Sequence, residues 1–188
     1  MRKLKLQVQI SVDGFICGPS GEMDFFMFKW DDKIKKYVID LHQPVDLIVL
    51  GRKLAEGFIP YWADAKGNPD HPEHEFAYIM TDTPKVVFTK TLEINPWENT
   101  VLAKGDLAEE IKKLKEQPGG DIIAYGGANF DSSLIRENLV DEYHIFVNPV
   151  AAGKGLPIFA ELPGPTKFKL VKASPFDCGI TVMHYVRA

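Results

Sequence analysis

With 188 residues, 45% of them apolar, the chain can bury one sizeable core and is too short for two, so it reads as a single domain over residues 1–188. A net charge of -4 excludes broad attraction to nucleic acid, so any anionic ligand must be held by local cations. No apolar run reaches the ~20 residues of a membrane span, and the start Met1-Arg2-Lys3-Leu4-Lys5-Leu6-Gln7 lacks the apolar stretch of a signal peptide, which leaves a cytoplasmic reading.

Leu4, Leu6, Val8 and Ile10 alternate with Lys5, Gln7 and Gln9, the period of a strand. Residues 11–21 then carry Gly14, Gly18, Pro19 and Gly21, which makes them a long loop off a strand end, either a functional loop or a connector. Cys17 lies in it, and with Cys178 it forms either one disulfide or, the commoner case for two scattered cysteines, two reduced thiols. Phe25, Phe26, Phe28 and Trp30 follow, as a stacking surface for a flat ring or as plain core. Asp31 or Asp32 caps a helix to about His42, with Ile34, Tyr37, Val38 and Leu41 on one face, and Pro44 stops it.

Residues 45–50 are almost continuously apolar, the mark of a strand covered on both faces. They run into Gly51-Arg52-Lys53 at the start of a helix. A helix N-terminus favours acids, so Arg52 and Lys53 either serve a phosphate there or are solvated surface cations. After Phe58-Ile59-Pro60-Tyr61-Trp62, residues 63–72 read as a polar surface loop. His71, His74 and Glu75 have no further soft ligand at a metal-site spacing, so no metal is expected; they open a helix from Glu73 to about Met80. Residues 85–90 form a strand ending in Thr89 and Lys90, and residues 99–103 a second one. Asp106 caps a helix with Leu107, Ile111 and Leu114 inward, stopped by Pro118-Gly119-Gly120.

The stretch that organises the chain comes next. Ile122, Ile123, Ala124 and Tyr125 are a short buried strand, Gly126 and Gly127 break it, and residues 128–138 place Phe130, Leu134 and Ile135 at helical spacing. Strand, double glycine and helix aim bare N–H groups and a helix N-terminus at one point, where a dinucleotide pyrophosphate could sit; the alternative is a tight turn with no ligand. The dinucleotide fingerprint G-x-G-x-x-G is absent. Residues 140–150 form a long apolar strand with His144 on one face, Gly153-Lys154-Gly155 a glycine-bearing loop, and residues 167–173 and 179–186 an antiparallel hairpin. The sum is an α/β fold: a mostly parallel central sheet flanked by helices, with antiparallel strands at the C-terminal edge. Its strand ends bring residues 11–21, Gly51 to Lys53, Thr89 with Lys90, and Gly126 to Ala128 to one rim.

Leu50-Gly51-Arg52-Lys53, Val87-Phe88-Thr89-Lys90 and Ala124-Tyr125-Gly126-Gly127-Ala128, in that order after strands, resemble the dihydrofolate reductase superfamily. Ser11-Val12-Asp13-Gly14 and the run from Leu139-Val140-Asp141-Glu142-Tyr143 through Asn148-Pro149-Val150 to Gly153-Lys154-Gly155 are closer to the riboflavin-biosynthesis reductase domain and to bacterial dihydrofolate reductase-like proteins. The resemblance covers nearly the whole chain. It implies NADPH, with Gly126, Gly127 and Ala128 at the pyrophosphate, Gly51, Arg52 and Lys53 at the phosphates, and Thr89 with Lys90 at the adenosine end and its 2′-phosphate. Leu54 stands where dihydrofolate reductase has a threonine, and the Pro-Trp segment and helix carboxylate that grip a pterin are not recognisable; Glu22-Met23-Asp24-Phe25 stands near that place.

The implied reaction is hydride transfer to a C=N or C=O group of a nitrogen heterocycle, most like 5-amino-6-(5-phosphoribosylamino)uracil reduction. Substrate would meet Ser11, Asp13, Phe25, Trp62, Gly153, Lys154 and Gly155. Asp13 is either the proton donor or a turn residue that shapes its loop, an ordered water being the other donor. The rival readings are dihydrofolate reductase, a nucleotide-binding protein without catalysis, and a flavin- or folate-binding module that holds a ring through Phe25, Phe26 and Trp62. The β-rich C-terminal half implies a homodimer, since sheet edges must be paired or covered.

Overall fold

The structure, a computed structural model, describes residues 1–26 and 29–188. Phe28, in the aromatic stretch, lies outside the described residues. Alternation in the first strand, β1 (Leu4–Ser11), sends Leu4, Leu6 and Val8 into one apolar layer and Lys5, Gln7 and Gln9 to the other face. The loop after it is not wholly irregular: Phe15–Cys17 form a short strand, β2, followed by a 3-10 turn at Asp24–Phe26. Helix α1 (Asp32–His42) starts on Asp31, whose carboxylate accepts the N–H groups of Lys33 and Ile34, both at 2.9 Å.

Strand β3 (Val45–Gly51) is buried on both faces: Leu47 and Val49 enter one layer, Ile48 and Leu50 the other. Helix α2 (Arg52–Gly67) is longer than its sequence suggests. It runs through Pro60, so residues 63–67 are helical and the loop is confined to residues 68–73. Pro60 sits on the exposed side, while Ala55, Trp62 and Ala65 are buried against α3 (His74–Asp82) and the sheet. That packing outweighs the one helical hydrogen bond a proline removes. Then come β4 (Lys85–Phe88), β5 (Thr100–Ala103), α4 (Leu107–Glu116, capped by Asp106), β6 (Asp121–Ala124), α5 (Ala128–Arg136), β7 (Glu142–Asn148), β8 (Leu156–Pro157), β9 (Phe168–Pro175) and β10 (Thr181–Arg187).

Eight strands form one sheet in the order β5-β4-β3-β6-β1-β7-β10-β9. The first six are parallel; β10 and β9 are antiparallel at the edge. Residues of α1, α2 and α3 cover one face, and α4 and α5 the other. A separate two-stranded sheet joins β2 to β8. Gly155 makes that pairing possible, because a Cβ there would stand 2.2 Å from the Cys17 carbonyl oxygen. Cys17 and Cys178 are both free thiols, so the disulfide alternative falls away.

Candidate functional site

Parallel strands place their C-terminal ends on one rim, and there the register is specific. Gly51 pairs with Phe88 across β3 and β4, and Val49 with Ala124 across β3 and β6. The Gly51 N–H donates to the Gly126 carbonyl at 2.9 Å, so the two strand-glycine-helix junctions touch. A Cβ on Gly51 would lie 2.8 Å from the Phe130 Cβ; this glycine is needed for the approach of α5. Gly126 has φ +116°, a conformation that side-chain-bearing residues rarely adopt, and its peptide bond to Gly127 is cis. Gly127 differs: its φ is -79°, and a Cβ there would meet nothing within 4 Å.

Neither α2 nor α5 has a side-chain cap at its N-terminus, whereas Asp31 and Asp106 cap α1 and α4. α3 is uncapped as well, but only the starts of α2 and α5 meet, and with the Cβ position of Gly127 open the first N–H groups of α5 are the ones that suit an anion. Around it stand the cations. Lys53 is exposed, and the Arg52 guanidinium donates to Glu56 one turn along. The Thr89 hydroxyl oxygen accepts the N–H groups of Thr91 and Leu92 at 3.2 and 3.0 Å, which shapes the turn after β4. Lys90 Nζ donates to the carbonyls of Lys104 and Gly105 at 3.0 and 2.6 Å. These residues, with Ala128 at the first turn of α5, fit a dinucleotide: bare N–H donors, an unfilled glycine cradle and positive charge.

On the substrate side Asp13 takes the second of its two readings, and the glycine loop and Trp62 depart from expectation. Asp13 is a fastener. Its carboxylate accepts the Ser11 hydroxyl at 2.6 Å and the N–H groups of Ala152 and Gly153 at 3.0 and 2.7 Å. The Ser11 hydrogen bond, then those two backbone donors, hold its pKa down at about 2, so it is ionised at neutral pH and has no proton to give. Gly153 consequently spends its N–H on Asp13, and Gly155 serves the close β2–β8 approach; of that loop only the exposed Lys154 is left to reach a ligand. Trp62 is core: it is buried edge-on to Phe58, Tyr61 and Phe76, and ten residues along α2 put it roughly 15 Å from the rim. Phe25 is half-buried against Phe26, with ring centroids 4.5 Å apart.

One residue of the site was not foreseen. Asp131, in the first turn of α5, is fully buried, and a Cβ on Gly126 would stand 3.1 Å from its Oδ2. Among the described residues neither of its carboxyl oxygens has a hydrogen-bond partner, and burial pushes its pKa well above the usual carboxylate range. An aspartate three residues into a helix reads as an exposed acid favoured by the helix dipole; the sequence carries no sign of its burial. The folded protein keeps this proton where the unfolded chain, titrating near pH ~3.9, loses it. Folded Asp131 thus binds more protons, so its contribution to stability falls as pH rises above about 4. Asp131→Asn, neutral at every pH, is expected to gain melting temperature relative to wild type between pH 4 and pH 8. An offset that stays constant across that range would show that Asp131 does not hold its proton.

The family model of the RibD C-terminal domain matches residues 2–182. The uncharacterized protein YyaP of Bacillus subtilis (strain 168) is 31% identical over 188 residues, covering 98% of this chain and 94% of that protein. Among solved structures, the Thermotoga maritima diaminohydroxyphosphoribosylaminopyrimidine deaminase/5-amino-6-(5-phosphoribosylamino)uracil reductase aligns with a TM-score of 0.70 and 18% identity over 100% of this chain and 57% of its own. Dihydrofolate reductase from Enterococcus faecalis, solved with NADP(H), aligns with a TM-score of 0.63 and 17% identity over 98% of this chain and 96% of its own. At those identities the two structures establish the dihydrofolate reductase-like fold.

Proposed function

The chain belongs to the RibD C-terminal domain family, and on that premise we propose that it is an NADPH-dependent reductase acting on a C=N or C=O group of a nitrogen heterocycle. The observation that carries this reading is the meeting of two uncapped helix starts, at Gly51 and Gly127, with open space beside Gly127 and with Arg52, Lys53 and Lys90 on the segments that leave the same strand ends. The NADP(H) in the Enterococcus dihydrofolate reductase structure supports the choice of cofactor. NADPH, when bound, supplies the hydride. The protein's part is to bind and orient: the N–H groups of α5 and α2 receive the phosphates, and the side chains of Lys53 and Lys90 reach the charge that remains. Asp13, with Ser11, ties the loop after β1 to residues 152–153 and so fixes the wall of the substrate space. Asp131 is buried against the glycine turn, where burial raises its pKa well above the usual carboxylate range.

Within the family, the reading closest to this chain is reduction of a phosphorylated ribosylamino-pyrimidine, with Lys154 at the substrate phosphate. A pterin would need a gripping carboxylate on a helix after a Pro-Trp turn, an arrangement not recognisable around Glu22-Met23-Asp24-Phe25. The test follows NADPH absorbance with 5-amino-6-(5-phosphoribosylamino)uracil and with dihydrofolate in turn, the expected result being turnover of the first and little of the second. Rapid turnover of dihydrofolate alone would make the chain a dihydrofolate reductase, and NADPH binding with neither substrate consumed would make it a nucleotide-binding protein.

Assembly follows from the sheet edge. β9 is exposed along most of its length, with Leu170 and Val171 each about half open to solvent. An edge strand with unpaired N–H and C=O groups invites another strand, even with Lys169 and Lys172 on it, and the one always present at equal concentration is its own copy. A homodimer through this half is the expected state by light scattering; a monomer mass at micromolar concentration would refute it.

A further inference from the structure

Away from the rim, on the face covered by α1, β7 and β10 bring together Glu142, His144 and His184. Glu142 and His144 are two apart on one strand and therefore share a face; His184 lies directly opposite His144 in the antiparallel register. Glu142 Oε2 stands 3.6 Å from His144 Nε2 and 3.7 Å from His184 Nε2, and the two rings stack at 4.3 Å. Those separations are too long for hydrogen bonds. They are close to what one ion imposes: ligand atoms at about 2.0–2.1 Å from a tetrahedral metal lie roughly 3.3 Å from one another.

From this geometry we propose that Glu142, His144 and His184 bind one divalent transition-metal ion of the zinc class, clipping β7 to β10. Among the described residues both imidazole Nε2 atoms are buried without a hydrogen-bond partner, and His144 is only 4% exposed. A buried ring nitrogen with nothing to bond is rare in native proteins, and here two of them face one carboxylate oxygen. The atoms that a metal would not use are already engaged. His144 Nδ1 is 2.7 Å from the Tyr37 hydroxyl, and Glu142 Oε1 accepts Lys3 Nζ at 2.7 Å. Such outer partners fix which nitrogen and which oxygen point at an ion. The other nearby cation, Lys5, is paired with Asp121 at 2.9 Å.

Imidazole with carboxylate suits Zn²⁺ and its neighbours Co²⁺ and Ni²⁺, whereas Ca²⁺ and Mg²⁺ favour all-oxygen sites. A fourth position can be filled by water or by Gln7, which pairs with His144 from β1 and whose Oε1 is buried without a partner among the described residues. The site is remote from the rim: Lys5 pairs with Glu142 and Ser11 with Asn148, six residues or roughly 20 Å further along. Its ion would therefore fasten the edge of the sheet and take no part in hydride transfer.

The test titrates Co²⁺ into chelator-stripped full-length protein. The expected result is one equivalent bound, a visible d–d band and displacement by Zn²⁺. His184→Asn, at the more exposed ligand, should weaken Co²⁺ by about a hundredfold or more, and Tyr37→Phe by about ten- to hundredfold. His71→Ala with His74→Ala should change nothing, since those rings belong to another surface. Zn²⁺ should raise the melting temperature of wild type and leave that of His184→Asn unmoved. Absence of a saturable one-equivalent band, or wild-type affinity in His184→Asn, would overturn the proposal.

Discussion

Gly127→Val is expected to give a folded protein that has lost NADPH binding by at least about a hundredfold. The residue has an ordinary φ of -79° and no atom within 4 Å of where its Cβ would stand, so neither that angle nor packing opposes a side chain. What valine would fill is the space beside the first N–H groups of α5. Charge-assisted hydrogen bonds contribute about 1.5–3 kcal/mol each, and losing two of them corresponds to roughly a hundredfold or more in affinity. The neighbouring glycines make the contrast. Gly126→Val must adopt φ +116° and crowd Asp131, and Gly51→Ala must displace Phe130, so both should lower the melting temperature whether or not a ligand binds. Fluorescence titration with NADPH, beside thermal melting by circular dichroism, separates the cases. A folded Gly127→Val variant with wild-type affinity would show that the cradle is only a turn.

Much of this fold is legible in the sequence because its signals are local. β3 and β6 announce burial on both faces by continuous apolar runs, and Asp31 and Asp106 mark helix starts that the structure caps through those same side chains. What was not legible depends on partners distant in the chain. Residues 63–67 read as loop until Ala65, like Trp62 before it, is seen packed among the buried residues of α3. The short strand β2 has no pattern of its own and exists through β8, which a glycine admits. Asp13 reads as a candidate acid because, beside the local Ser11 hydroxyl, two of the donors that fasten it come from residues 152 and 153. Asp131 shows the reverse: its position in a helix gives no hint that the turn before it closes over its carboxyl. Glu142 and His144 share a strand, yet only the β7–β10 pairing supplies His184.

The remaining large effect concerns the choice between NADPH and NADH. Gly51 and Phe88 are in register at the ends of adjacent strands, so Arg52-Lys53, at the start of α2, and Thr89-Lys90, directly after β4, leave from neighbouring strand ends. Three cations in that corner exceed what a ribose hydroxyl needs and match a 2′-phosphate. Lys53 is exposed, Lys90 is held over two carbonyls, and Arg52 is engaged by Glu56, an exposed helix pair of the kind that contributes little and is readily exchanged for a phosphate. One charge-assisted contact of about 1.5–3 kcal/mol gives roughly ten- to hundredfold preference for NADPH. Arg52→Ala and Lys90→Ala should each erode that preference by weakening NADPH while leaving NADH nearly unchanged. Rising salt should narrow it further, since the contacts lie at the surface. Glu56→Gln, which frees Arg52, should move the preference the other way. Equal affinity for the two nucleotides in the wild type, or an Arg52→Ala variant whose preference is unaltered, would remove the 2′-phosphate from this corner and leave its cations to the solvent.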